Sequence, residues 1–247
     1  MTKGSFWKWF NLAAGIASII SVFYLLFKDK TNGIIAVIAF VLFLISIIVL
    51  LWVTINKLIK TDYPQDYKKI IVFVSYETED GVKGKFEVFK VIQAKKLVLD
   101  RVEHCYKWSG SKEPTISSDL QEIREKIPSS SDDYDKAILV LKKPLAYNET
   151  GTIHFKADTD DVDRKALPYL DHKVDTEMNA ISFRVTLKYK DNNYAKPAKL
   201  LKKPIKSNSP VGYKEIRSVA FDKESKSYQY NLLNPEIGYF YRLEWEK

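Results

Sequence analysis

The sequence predicts a membrane-anchored all-β protein: an N-terminal two-helix transmembrane hairpin followed by a β-sandwich or β-barrel with one short helix. Three observations predict it. Residues 33–55, GIIAVIAFVLFLISIIVLLWVTI, run for 23 positions with no charge, no proline and no strongly polar side chain. Residues 10–27, FNLAAGIASIISVFYLLF, form a second apolar run, separated from the first by the polar KDKTN. From residue 69 onward the apolar residues turn to short, alternating, β-branched and aromatic stretches, the period of a strand with one buried face.

A helix rises about 1.5 Å per residue and a bilayer core is about 30 Å thick, so 33–55 is long enough to span with some tilt. The 10–27 run is near the lower limit for a span, and it lacks the A-x-A site of a cleaved signal peptide, so it is read as retained. With so short a connection the two spans make an antiparallel hairpin, residues 1–56. Lys3, Lys8, Lys57, Lys60, Lys68 and Lys69 flank it, against Lys28 and Lys30 in its loop. The positive-inside rule then places the N-terminus and the C-terminal domain in the cytoplasm. Trp7, Trp9 and Trp52 suit the cytoplasmic interface and Tyr24 the other one.

In the first helix, Ala14 with Ser18 and Ala17 with Ser21 have the small-xxx-small spacing that lets helices approach closely. That spacing serves packing inside the hairpin or oligomerisation between protomers equally well. No acidic or basic residue lies inside either span, which argues against a proton relay, a transporter or a charged ion filter.

Residues 57–68 form a polar juxtamembrane linker and 69–247 a β-rich sensor or interaction domain. Ile70–Tyr76 is a strand, Glu79-Asp80-Gly81 its turn, and Lys85–Ile92 the returning strand. A phase slip between Val88 and Phe89 suggests a bulge. Residues 97–108 are a further strand. The short helix is expected at Ser118–Ile127, with Ser118 and Gln121 as a capping box, Leu120, Ile123 and Ile127 on one face, and Pro128 as terminator. Ala137–Leu141 is read as a strand buried on both faces, followed by Thr152–Ala157. Ile181, Phe183, Val185, Leu187 and Tyr189 alternate with Ser182, Arg184, Thr186, Lys188 and Lys190. A basic loop is expected at 196–206, and strands at 213–221, 227–232 and 239–245 complete a set of eight or nine.

Net charge is +8, of which residues 57–247 carry +5, mildly basic and compatible with an anionic partner or an ordinary wet surface. One cysteine, Cys105, excludes an intrachain disulfide. His104, His154 and His172 lack metal-ligand spacing, and Asp158, Asp160, Asp161 and Asp163 fail the EF-hand template, so no metal or cofactor is expected. No phosphate-binding glycine loop, nucleophile elbow or kinase signature occurs, and the protein is not read as an enzyme. What remains is aromatic residues interleaved with basic ones: Tyr106, Lys107 and Trp108; Arg184 and Lys188; Tyr213 with Arg217; Tyr241 with Arg242. Rings that stack on bases beside cations that neutralise phosphate would suit a nucleotide.

The paired runs 10–27 and 33–55 and the strand-rich remainder ending NPEIGYFYRLEWEK resemble the two-helix, β-barrel membrane effectors of bacterial anti-phage signalling, including cyclic-oligonucleotide (CBASS) systems. The resemblance implies a multi-pass protein of the bacterial inner membrane. Its β domain would sense a cyclic nucleotide, and its hairpins would oligomerise in the lipid bilayer and disrupt it. The alternative is a membrane-tethered β-sandwich scaffold that binds a protein partner and forms no pore.

Overall fold

The computed structural model describes residues 18, 21, 33–129, 134–205 and 212–247. The chain divides into two compact units, Met1–Leu58 and Ile59–Lys247.

The first unit holds most of helix α1, Gly33–Asp62. From residue 37 to 58 its apolar side chains are exposed on every side, Leu42 at 58% and Leu50 at 66%, with no buried stripe. Ser46 and Thr54 donate to the carbonyls of Leu42 and Leu50, both at 2.8 Å, so these hydroxyls are satisfied inside the helix. Helix α1 is thus long and apolar enough to cross a membrane. It also continues past the expected span into the polar linker, through Asn56, Lys57 and Lys60, because no helix breaker precedes Pro64. The other expected span lies outside the described residues, except for Ser18 and Ser21, which are helical.

The second unit is mostly β, with thirteen strands among the described residues. β1 (Tyr67–Thr78), β2 (Lys83–Ala94), β4 (Thr115–Ser117), β7 (Thr150–Asp160), β9 (Ala180–Leu187) and β12 (Ser227–Leu233) form one sheet, in the order β12-β9-β1-β2-β7-β4. Only β1 and β9 pair in parallel within it; its other neighbours are antiparallel. β8 (Tyr169–Val174), β10 (Ala198–Pro204), β11 (Lys214–Val219) and β13 (Tyr239–Glu244) form an antiparallel sheet in the order β11-β10-β13-β8. β3 (Val98–Tyr106), β5 (Glu122–Ile127) and β6 (Asp135–Ala146) form the third, in the order β3-β6-β5.

One buried cluster joins the first two sheets through Val72, Val74, Phe155, Phe183, Val185, Leu200 and Leu243. A second, from Tyr67 and Ile92 to Leu99, Leu139 and Ile153, joins the first and third. Alternation puts Ile181, Phe183, Val185 and Leu187 wholly inside. The β1–β2 turn forms as expected: Gly81 takes φ 75°, and Asp80 accepts from the amides of Val82 and Lys83.

Five expectations are corrected. The first sheet ends at β4 and β12, so the packed sheets stay open and no barrel closes among the described residues. Residues 118–127 are a turn followed by β5 instead of a helix. Ser118 Oγ does accept from the amides of Leu120 and Gln121. Gln121, however, spends its side chain on β7, bonding the Thr152 carbonyl and the His154 amide, and pairing with β6 wins over helical propensity. The supposed basic loop contains β10, an interior strand of its sheet, with Ala198 and Leu200 fully buried. Nor is there a bulge at Val88: β1 carries the irregularity, between Lys69 and Ile71. The phase of β2 is regular, with Val88, Lys90 and Ile92 facing inward and Phe89 stacked outward on His154 at 4.3 Å. β6, read as doubly buried, alternates instead between buried Ala137, Leu139 and Leu141 and half-buried Ile138 and Val140.

Candidate ligand-binding cavity

The inner faces of β1, β2, β3 and β8, with the 107–109 and 166–168 segments and Trp245–Lys247, enclose a cavity of about 460 Å³. That volume is in the range of small-molecule sites. Alternation along β1 points Tyr67, Lys69, Val74, Tyr76 and Thr78 into it. Lys69 and Tyr76 lie roughly 20 Å apart along the strand at about 3.3 Å per residue, so they mark two different ends.

The Tyr76 end is aromatic. Tyr76 stacks on Trp245 at 5.7 Å, and Tyr189 approaches from beyond β9. Its polar closure is made by Asp161, which accepts from the Ala166 amide and from Lys247 Nζ, each at 2.7 Å. Asp161 thus organises the turn after β7, whereas Asp158 and Asp160 lie on β7 and pair with Lys156 and Lys112, and no set of three potential ligands could hold a metal ion among the described residues.

The Lys69 end is basic and buried. Lys69 Nζ bonds Asp175 at 2.6 Å. Lys90, 8% exposed, has Nζ 2.9 Å from Nδ1 of His104, which is 4% exposed. Lys90 makes no ion pair among the described residues. Burial and the Lys69 charge together bring its ammonium down to about 7. His104 and His172 are held well below the usual imidazole range, first by burial and then by the nearby lysines. The Nε2 atoms of both histidines, and Nε1 of Trp108, are buried without a hydrogen-bond partner among the described residues.

Of the residues singled out from sequence, Tyr106, Lys107 and Trp108 line this cavity. Tyr106 and His104 both pack on Phe155, at 5.1 and 4.2 Å. Tyr213 and Arg242 sit beside it, joined through Asp171, a wall residue. The remaining four lie elsewhere. Arg184 is exposed on the outer face of β9, and Lys188 pairs with Glu77 and Glu79 at 2.5 and 3.1 Å. Arg217 lies over Tyr230 at 5.8 Å on exposed β11. Tyr241 is a core residue, its hydroxyl accepting from the Glu236 amide at 3.0 Å. Ala14 and Ala17 fall outside the described residues; Ser18 and Ser21 are exposed.

Lys90 was not singled out from sequence; Lys69 was read only as a flanking charge, and His104 and His172 only as histidines without metal-ligand spacing. The signal for Lys90 is positional: period-two reading of FEVFKVI puts it between Val88 and Ile92 on the buried face. His104 likewise falls between Val102 and Tyr106.

No protein-family model and no curated protein matches the chain. Among solved structures, part of the chain is similar to an M1 zinc metallopeptidase from Deinococcus radiodurans, at 8% identity and a TM-score of 0.37 over 73% of this chain and 42% of that one. A putative protease from Parabacteroides distasonis gives 8% and 0.42 over 73% and 40%. Baculovirus P35 gives 11% and 0.38 over 75% and 99%. The chain thus spans about two fifths of the peptidases it resembles, and likeness of this order carries no argument about activity.

Proposed function

We propose that the protein is a membrane-anchored sensor whose β domain takes a small phosphate-bearing ligand into its cavity. A cyclic oligonucleotide is the ligand class implied by the resemblance to anti-phage effectors. The cavity supports the reading: its aromatic walls suit a base and its buried lysines suit phosphate. In this reading the N-terminal hairpins, clustered by oligomerisation, carry the response into the bacterial inner membrane. To move from 1:99 to 99:1, the ligand must favour the assembled state by about 5.5 kcal/mol.

The test is a thermal-shift screen of the full chain in lipid nanodiscs against cyclic di- and trinucleotides, followed by dye leakage from liposomes containing it. Binding should raise the melting temperature by mass action and release dye. Stabilisation without leakage would reduce the hairpin to an anchor. No stabilisation, together with a stoichiometric protein recovered from membranes, would replace the sensor by the tethered scaffold.

A further inference from the structure

We infer that Lys90, Lys69, His104 and His172 form an oxoanion site at the basic end of the cavity, shaped for the phosphate group of its ligand. The inference rests on the sensor reading for the ligand's identity, but its geometry stands separately. Two lysines and two imidazoles from four strands, β1, β2, β3 and β8, line one cavity. Asp175, the carboxylate acting on both Lys90 and Lys69, is already bonded to Lys69. Lys90 is left with an imidazole nitrogen and no anion, at 8% exposure. His104, at 4%, lines the cavity and keeps a buried ring nitrogen with no partner among the described residues.

An apolar or cationic ligand would leave these nitrogens unmatched, at the full cost of their desolvation. A phosphate oxygen matches them with charge-assisted bonds. The titratable groups that line the cavity with Lys90 at this end are Tyr67 and Lys69 from β1, Glu103, His104 and Cys105 from β3, His172 from β8, and Asp175 beyond it. Glu103 is turned outward to Lys136, at 3.1 Å, so basic groups dominate inside. Anion entry favours the protonated forms of Lys90 and the imidazoles, so binding takes up protons and weakens as pH rises.

Calorimetry on the full chain in nanodiscs tests this, with inorganic pyrophosphate as probe in two buffers of different ionisation enthalpy. The expected result is binding with net proton uptake, weakened at least about tenfold in Lys90→Met and in His104→Gln, and unchanged in Lys214→Met on the exposed face of β11. Near-UV circular dichroism establishes that each variant is folded. Equal pyrophosphate affinity in wild type and both cavity variants, or no binding by wild type at millimolar probe, overturns the site. Pyrophosphate binding that depends on Lys90, without any cyclic oligonucleotide binding, leaves the site standing and removes the nucleotide from the sensor reading. Cyclic oligonucleotides that bind both variants as tightly as wild type do the reverse.

Discussion

Arg242 grips Asp171 with a two-bond fork, Nε to Oδ1 and Nη2 to Oδ2, both at 2.8 Å. The guanidinium is also sandwiched, 3.6 Å from the centre of the Tyr169 ring and 4.0 Å from that of Tyr213. Burial pulls its pKa down, but the Asp171 bonds and charge hold it above the ordinary arginine range. Both side chains are more than four-fifths buried, so this pair ties β13 to β8 and is already satisfied without a ligand.

Arg242→Ala should therefore act on stability, costing about 2–4 kcal/mol by stranding Asp171. Arg242→Lys keeps the charge but loses the fork and most of the stacking, and should cost about 1–2 kcal/mol. Chemical denaturation measures both. A loss of under about 0.5 kcal/mol for the alanine variant, the size of an exposed pair, would show that the fork is not structural.

Lys90 gives stability an unusual pH dependence. Its folded value of about 7 lies below the ordinary lysine value of about 10.4. Between those limits the unfolded chain binds the extra proton, so the lysine's contribution rises with pH, by up to about 1.4 kcal/mol per unit. Lys90→Met should flatten that rise between pH 7 and 9 in parallel denaturation series. It should be at least as stable as wild type at pH 7, because an unpaired buried cation is removed.

His104 and His172 act over the acid range. With folded values depressed by burial, their contribution is complete above the ordinary imidazole value of about 6.5 and is lost as pH falls through and below it. A His104→Gln/His172→Gln protein should lose less stability than wild type between pH 7 and 5, read as the shift in melting temperature. An equal loss would place the acid sensitivity in other groups.

Gly84 makes room for Tyr76. A Cβ at this position would overlap the Tyr76 hydroxyl and come within 2.6 Å of its Cζ. Gly84→Ala should displace the ring from its stack on Trp245 and destabilise by about 1–3 kcal/mol. Tryptophan fluorescence should report the altered stack, and an unchanged spectrum at unchanged stability would contradict it.

Helix α1 should insert by virtue of its unbroken apolar surface. Leu44→Arg places a charge near the middle of the run and should cost about 2.5–3.5 kcal/mol of insertion free energy. Glycosylation mapping of the inserted fraction measures it, and an inserted fraction equal to wild type would contradict a mid-span position for Leu44.

Sequence made the regular parts legible for a physical reason. α1 and β9 each bury or expose whole faces, so their periods stand out in the residues themselves. β8 and β10 did not read as strands. β8 carries His172 on its buried face between Leu170 and Val174, and β10 carries a Leu200/Leu201 register shift among lysines. β2 was misphased by the same kind of residue, an inward Lys90. The hidden strand β8, the misread phase of β2 and the overlooked basic site thus share one cause: polar groups occupying core positions. Such local inconsistencies are where functional sites are expected. The aromatic–basic signal found Tyr106, Lys107 and Trp108 because they adjoin that interior. It also gathered Arg184, Lys188 and Arg217, whose spacing is the same although they face outward.

The parallel pairing of β1 with β9 bears on how the chain is made. β1 follows α1 almost directly and meets β2 across a tight turn, which covers one of its edges early. Its other edge pairs with Ala180–Leu187, which leaves the ribosome about a hundred residues later, a delay of roughly 5–20 s at ordinary translation rates. During that interval IIVFV is an apolar strand with one open side. Synthesis thus has a window in which crowded nascent chains could pair with each other at β1, so yield of the folded protein should depend on translation speed and on chaperones that shield strand edges.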